Sequence, residues 1–297
     1  MGVSGNYGQL DLVAALQWVQ KSIAAFGGDP NKVAIYGQSG GGQKVNGLMC
    51  SPLTEGLFRG AIAHSTSSGG SILPASGVPL EEAETVGDIL AGELGVSTLE
   101  ELRALPWQEI ITVSRASGSG YTDLLAVDGW SLQDTIRNTF QAGMQQDVPY
   151  IWGMCDYDSA TLFNGSVTLA QVITQRTSNI YAYLFMHVPT GWEQEGVRAY
   201  HTIDIPYVMG DLSEIERQWE RYAVPQGSTN PDPGFDWEDE FLVEAMQAMW
   251  IQFAATGNPN VKGLVSWSPY RYNTDQYLQI DVPLEVKSGF SELVHEP

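Results

Sequence analysis

One segment constrains this chain more than any other: Val33-Ala34-Ile35-Tyr36 followed by Gly37-Gln38-Ser39-Gly40-Gly41. A short apolar run, read as a buried strand, enters a G-x-S-x-G turn, and residues from Gly42 to Met49 continue as a helix. A strand that turns into a helix within so few residues leaves no room for side chains two positions either side of the serine, hence the glycines. The serine is held strained and exposed at the helix N-terminus. There the helix dipole and the free N–H of Gly40 favour developing negative charge. The pattern predicts Ser39 as a nucleophile and Gly40 as an oxyanion donor.

The rest of the chain supplies a frame for such a turn. Residues 10–26 read as an amphipathic helix with Leu12, Leu16, Val19, Ile23 and Phe26 on one face, stopped by Gly27-Gly28 and turned by Asp29-Pro30. Strands are predicted at Gly60–His64, at 148–153 (VPYIWG), at 180–186 (IYAYLFM) and at Tyr277–Ile280, the last closing the chain. A long helix is expected over 236–256, with Leu242, Met246, Met249 and Phe253 on one face and Gly257 as its stop. Strands alternating with helices imply a mostly parallel sheet covered on both faces. Residues 66–146 differ: two Gly/Ser stretches bracket helical segments near 80–94 and 98–112. They read as a cap-like insertion in a single domain, 1–297, whose core is 1–65 and 147–297.

A serine nucleophile needs a base. The chain has four histidines. His295 lies in the tail, and His64 and His187 sit at strand ends, where a structural role is the default. His201 falls in a polar loop after the strands and is the expected base. The acid that orients it should lie between serine and histidine in chain order, just after a strand. Asp156 and Asp158 both follow VPYIWG and both meet that demand. Cys50 and Cys155 are too few for a disulfide framework and read as small buried hydrophobes. Asn164-Gly165-Ser166 is a glycosylation sequon of the kind common by chance. No metal-ligand cluster is visible, and the predicted chemistry needs no cofactor. A net charge of −21, from 35 acidic and 14 basic residues, excludes nucleic acid as a partner. No apolar run is long enough to span a bilayer and no signal pattern opens the chain, so a soluble protein is expected, with its compartment unassigned.

These stretches together resemble the type-B carboxylesterase family, which includes lipases and cholinesterases. GNYGQLDLVAALQWVQKSIAAFGGDPNKVAIYGQSGGG is similar to the family's helix, turn, strand and elbow. SPLTEGLFRGAIAHS, LEELRALP, VDGWSL, YHTIDIPYVMG and WIQFAATGNPN with WSPY resemble later family segments in the same order. The resemblance runs from Gly5 to about Tyr270 and implies an α/β-hydrolase fold. By it Ser39 matches the nucleophile, Gly40 an oxyanion donor and His201 the catalytic histidine. Asp204 stands where the family usually has a structural glutamate. For the acid, five positions on from Gly153 gives Asp158, whereas counting back from TLF gives Ser159. Asp158 is favoured because orienting an imidazole needs a carboxylate, with Asp156 as the fallback. Gln38 stands where glutamate is usual; it keeps hydrogen bonds but not charge.

Family members carry several strands and a Gly-rich oxyanion loop before the GNYG segment, and residues 1–9 contain nothing similar. The expectation is that strand 33–36 forms a sheet edge, open to a second chain or a homo-oligomer. The expected function is hydrolysis of a small-molecule carboxylic ester through an acyl-enzyme, with a Ser39–His201–Asp158 triad. The alternative is an impaired or non-catalytic fragment of the same fold that serves as an interaction module. An amidase or thioesterase using the same triad is a third reading.

Overall fold

A computed structural model describes residues 5–66, 77–117, 125–158 and 178–293. One sheet of six strands runs β1 (Ala34–Gln38), β2 (Gly60–His64), β5 (Tyr150–Cys155), β6 (Ile180–Phe185), β7 (Gln276–Ile280) and β8 (Glu285–Ser288), in that spatial order. The first five are parallel, and β8 is antiparallel to β7. A separate short pair joins β3 (Val78–Pro79) to β4 (Ala126–Val127). The helices are α1 (Tyr7–Ser22), α2 (Gly40–Cys50), α3 (Leu80–Glu93), α4 (Leu99–Ala104), α5 (Trp107–Ser117), α6 (Ile136–Gln141), α7 (Thr190–Glu193), α8 (Asp204–Met209), α9 (Ser213–Arg217) and α10 (Trp237–Thr256).

The apolar runs are explained by burial on both faces. In β6, Ile180, Ala182 and Leu184 join one core, while Tyr181, Tyr183 and Phe185 join the other. Alternate residues of a strand point to opposite faces, so a strand covered on both sides must be apolar throughout. The first core holds α1 residues Val13 and Leu16 and α2 residues Val45, Leu48 and Met49. The second takes Leu242, Met246, Met249 and Phe253 of α10, the face expected from their spacing. An Asp236–Asp239 capping box starts α10, and Gly257, at φ 78°, ends it.

Three expectations change. The chain does not close at β7: β8 adds an antiparallel edge strand of Glu, Val, Lys and Ser, a short charged sequence that suits an edge and hides from a search for apolar runs. The segment 98–112 is two helices, because Pro106 cannot continue a helix and Leu105 before it is extended. The buried stripe of the first helix is Gln9, Val13 and Leu16, whereas Leu12 is 36% exposed and Phe26 72%. Helix α1 meets α2 so closely that Gln9 Nε2 donates to the Gly47 carbonyl at 3.1 Å, and a Cβ at Gly47 would lie 2.7 Å from Gln9 Oε1. Gln20 of the same helix donates to the Pro30 and Leu57 carbonyls, and Phe26, in the 3-10 turn Ile23–Phe26 that follows α1, lies outside against Trp18.

Asn6 ties the start of α1 to the segment that follows β4. Its amide donates to Ala126 O, Asp128 Oδ2 and Ser131 Oγ and accepts from Ala126 N–H. Both cysteines are free and buried. Trp152 and Trp192 are buried side chains of the two cores, and Trp130 is 40% exposed. Among the described residues no helix is long and apolar enough to cross a membrane.

At the far end of β6, His187 joins three elements. Its Nε2 lies 3.0 Å from Asp239 of α10 and its Nδ1 3.4 Å from Asp281 after β7; Tyr207 of α8 also donates to Asp239. Burial opposes the imidazolium, but the hydrogen bonds and charges of Asp239 and Asp281 outweigh it and lift the pKa from 6.5 to about 9. A folded pKa above the unfolded one gives stability that is fully present below about pH 6.5 and lost as pH rises through about 9. Melting temperatures across that range should therefore fall for the native protein. In His187→Gln the fall should be shallower, and the protein less stable at neutral pH.

Candidate active site

The C-terminal ends of β1, β2 and β5 and the loop before α8 meet at one place. Strand β1 ends at Gln38, and Ser39 caps α2 with φ 55° and ψ −119°. A non-glycine residue in that region stores about 1–3 kcal/mol, and the surroundings must hold it there. They do so with the Ser39 N–H, which donates to the His64 carbonyl at the end of β2, and with the Ser39 carbonyl, which accepts from Gln43 N–H. Ser39 is partly buried, and Gly40 and Gly41 are exposed.

The glycines differ in what they permit. A Cβ on Gly37 would lie 2.4 Å from the Gly41 backbone, and one on Gly42 would lie 2.7 Å from Thr66 Cγ2; at Gly40 and Gly41 nothing comes within 4 Å. Side-chain-free positions are thus required at 37 and 42 rather than at 37 and 41. Gly37→Ala should force backbone apart and cost about 1–3 kcal/mol or more. Gly41→Ala should be neutral or stabilise α2 by up to about 1 kcal/mol. Denaturant melts of the two variants check both.

The segments around Tyr157 and Tyr200 form a β-bridge, and Tyr157 N–H donates to Ala199 O. This bridge brings together two loops distant in sequence. His201 Nδ1 lies 2.6 Å from Asp158 Oδ1. The other carboxylate oxygen of Asp158, a buried residue, accepts from Ser65 Oγ at 2.7 Å and from Cys155 N–H at 2.9 Å. Asp156 turns the other way, and its Oδ2 takes Arg198 Nε and a terminal guanidinium nitrogen at 3.0 and 2.8 Å. Burial disfavours the charged form of His201, but the hydrogen bond and charge of Asp158, with the charge of Asp204, outweigh it and raise its pKa; Arg221 opposes them. His201 Nε2 lies 3.0 Å from the side-chain nitrogen of Gln38. Among the described residues, Ser39 Oγ makes no hydrogen bond.

Beneath this arrangement is a buried polar cluster. His64 Nδ1 meets Asp204 Oδ2 at 2.9 Å, Tyr183 O–H donates to the same oxygen at 2.7 Å, and Trp250 Nε1 donates to His64 Nε2 at 3.2 Å. An indole N–H is only a donor, so Nε2 of His64 is the acceptor and the proton sits on Nδ1, facing Asp204. Burial tends to neutralise Asp204, but the hydrogen bonds from His64 and Tyr183 hold its carboxyl below the usual range. Burial and the Asp204 charge push Tyr183 up, so it remains a donor. Burial and the same two carboxylates, Asp204 and Asp158, push Cys155 up, which keeps it an inert thiol.

Sequence reasoning singled out Ser39, Gly40, His201 and Asp158, and the structure collects all four at one end of the sheet. It did not find Ser65, whose φ of 45° and bond to Asp158 have no local sequence signature. The reading of Gln38 did not include its contact with His201. Ser159, His295 and the Asn164 sequon lie outside the described residues.

Comparison with known proteins bears on this arrangement. A model of the carboxylesterase family matches residues 2–165 and 159–294. The acylcarnitine hydrolase of Rattus norvegicus is 29% identical over 349 residues, covering 93% of this chain and 58% of that protein. The para-nitrobenzyl esterase of Bacillus subtilis (strain 168) is 25% identical over 333 residues, covering 96% of this chain and 65% of that protein. The chain spans about three fifths of the length of such relatives. A solved structure of a PNB esterase superposes with a TM-score of 0.78 at 21% identity, over 99% of this chain and 69% of the other, which shows the α/β-hydrolase fold.

Proposed function

The chain belongs to the carboxylesterase family, and from that premise and the site geometry we propose that it is a serine carboxylic-ester hydrolase. The observation that carries the reading is the 2.6 Å bond from Asp158 to His201, which turns the opposite nitrogen of the imidazole toward the end of β1, where Ser39 sits. In this reading Ser39 Oγ attacks the ester carbonyl while His201 Nε2 takes its proton. Asp158 holds Nδ1–H and stabilises the imidazolium, and the buried charge of Asp204 adds to that effect. The Gly40 N–H at the start of α2 donates to the oxyanion. Collapse of the tetrahedral intermediate breaks the bond to the alcohol, which leaves with the proton from His201. Water then attacks the acyl-Ser39 ester, gives its proton to His201, and releases the carboxylic acid as that proton returns to Ser39 Oγ. No metal or cofactor enters these steps.

We read the whole chain as one domain, with residues 66–146 as a cap over the site. The small β3–β4 sheet, separate from the main one, supports that division, and the Asn6 bonds to Ala126, Asp128 and Ser131 tie the insertion to the core as one domain. The substrate is a small-molecule ester.

The test is hydrolysis of a short-chain p-nitrophenyl ester by purified protein, together with covalent labelling by a fluorophosphonate probe. Turnover with labelling at Ser39 is the expected result. Soluble, folded protein with neither would overturn the reading and leave an interaction module on an esterase scaffold.

A further inference from the structure

The nitrogen of His201 that would accept the Ser39 proton is already in contact with another side chain. Gln38 Nε2 stands 3.0 Å from His201 Nε2. The chemistry of the pair decides how they face. The carboxylate of Asp158 only accepts, so its bond at Nδ1 places a proton there. A neutral imidazole protonated on Nδ1 offers a lone pair at Nε2. Of the two halves of the Gln38 amide, only NH2 can donate to it; the oxygen would set acceptor against acceptor.

The strand delivers Gln38 to this position. It is the last residue of β1 and shares a strand face with Tyr36, two residues back. Tyr36 meets the ring of His64 edge-on, and its hydroxyl reaches Met209 at the end of α8. This face is therefore the side on which α8 and the loop that carries His201 lie. The residue directly before the nucleophile thereby reaches the base.

We propose that Gln38 is a positioning residue, whose amide keeps His201 neutral with its proton on Nδ1, and which must swing off Nε2 before Ser39 can deliver a proton there. The swing rests on the esterase reading; the contact and its effect on the histidine do not. Two substitutions separate the parts. Glutamate at 38 cannot donate, and its charge beside Nε2 favours the imidazolium. The groups that already act on His201 are Asp158 after β5 and Asp204 on α8, which favour the charge, and Arg221 in the π-turn Trp219–Ala223, which opposes it. A third carboxylate moves the balance further toward the imidazolium. Methionine at 38 keeps the length, removes the donor and adds no charge. It uncaps Nε2 and removes a hydrogen bond to the neutral form. Gln38 is only partly buried, so both changes are compatible with folding.

The experiment uses the full chain and two readouts. The His201 ring is titrated by NMR, assigned with His201→Gln, and the rate of fluorophosphonate labelling is followed over about pH 5 to 9. Gln38→Glu should raise the His201 midpoint by about one unit or more. The acid limb of labelling should move up with it, so that labelling there slows about tenfold. Gln38→Met should raise the midpoint less and speed labelling several-fold at the plateau. Midpoints left at the native value in both variants overturn the proposal, whatever the labelling. A shifted midpoint in a native protein that never labels leaves the contact standing and removes the esterase reading and the swing with it.

Discussion

Replacing Ser39 with alanine should lower kcat for a p-nitrophenyl ester by about 10⁶, the scale at which loss of the nucleophile disables a formed triad. Melting temperature should hardly change, because alanine removes one hydroxyl and keeps the same backbone. Ser39→Gly separates chemistry from strain. It also removes the hydroxyl, but glycine occupies φ 55°, ψ −119° without a Cβ penalty. The glycine variant should therefore gain about 1–3 kcal/mol over native protein while being equally inactive. A site that trades stability for an aimed nucleophile has this signature. Kinetics with a short-chain ester and denaturant melts of the three proteins are sufficient. Activity retained in the alanine variant would remove Ser39 from the mechanism. A glycine variant no more stable than native would show that the elbow stores no strain.

The second large effect is expected at Asp158. Its two oxygens accept from His201 Nδ1, Ser65 Oγ and Cys155 N–H, so all three partners are donors. Asparagine has the same shape but offers one NH2 group, which faces at least one donor with another. The imidazole then takes the wrong tautomer, and kcat should drop by about 10⁴. The buried mismatch should also cost about 1–3 kcal/mol of stability. Asp156→Asn is the matched control. It breaks an ion pair with the largely exposed Arg198, worth about 0–1 kcal/mol, and leaves His201 untouched. The ratio of the two kcat values decides between the carboxylates. A loss confined to Asp156→Asn would reverse the assignment.

The sequence made some of this plain because the signals are local. A strand run of apolar residues, a glycine that tolerates a crowded turn and a helix with Leu242, Met246, Met249 and Phe253 at steps of three and four each report their own environment. Where the signal was weak, the reading slipped. Helix α1 carries apolar residues on several sides, and its tertiary partners decide which of them face inward: Gln9 bonds the Gly47 carbonyl and Gln20 the Pro30 and Leu57 carbonyls, while Phe26, in the turn that follows the helix, stays outward. The β8 edge is too polar and too short to stand out from a loop.

The chemistry divides along the same line. By itself the sequence determined the fold class, the strand-to-helix elbow that holds Ser39 and the loop that carries His201. Each of these is written in a contiguous segment whose propensities and periodicity act over a few residues. The count from Gly153 favours Asp158 over Asp156, but only the tertiary structure showed that Asp158 meets the imidazole, that Ser65 supports that carboxylate, and that Gln38 lies on His201 Nε2. Asp156 and Asp158 differ by two positions in one turn, and beyond the family-like spacing from Gly153 no local propensity shows which of them reaches the histidine. The bridge between Tyr157 and Tyr200 aims one at the histidine and leaves the other to Arg198. Side-chain direction at such a point is set by partners tens of residues away, and that information exists only once the chain has folded.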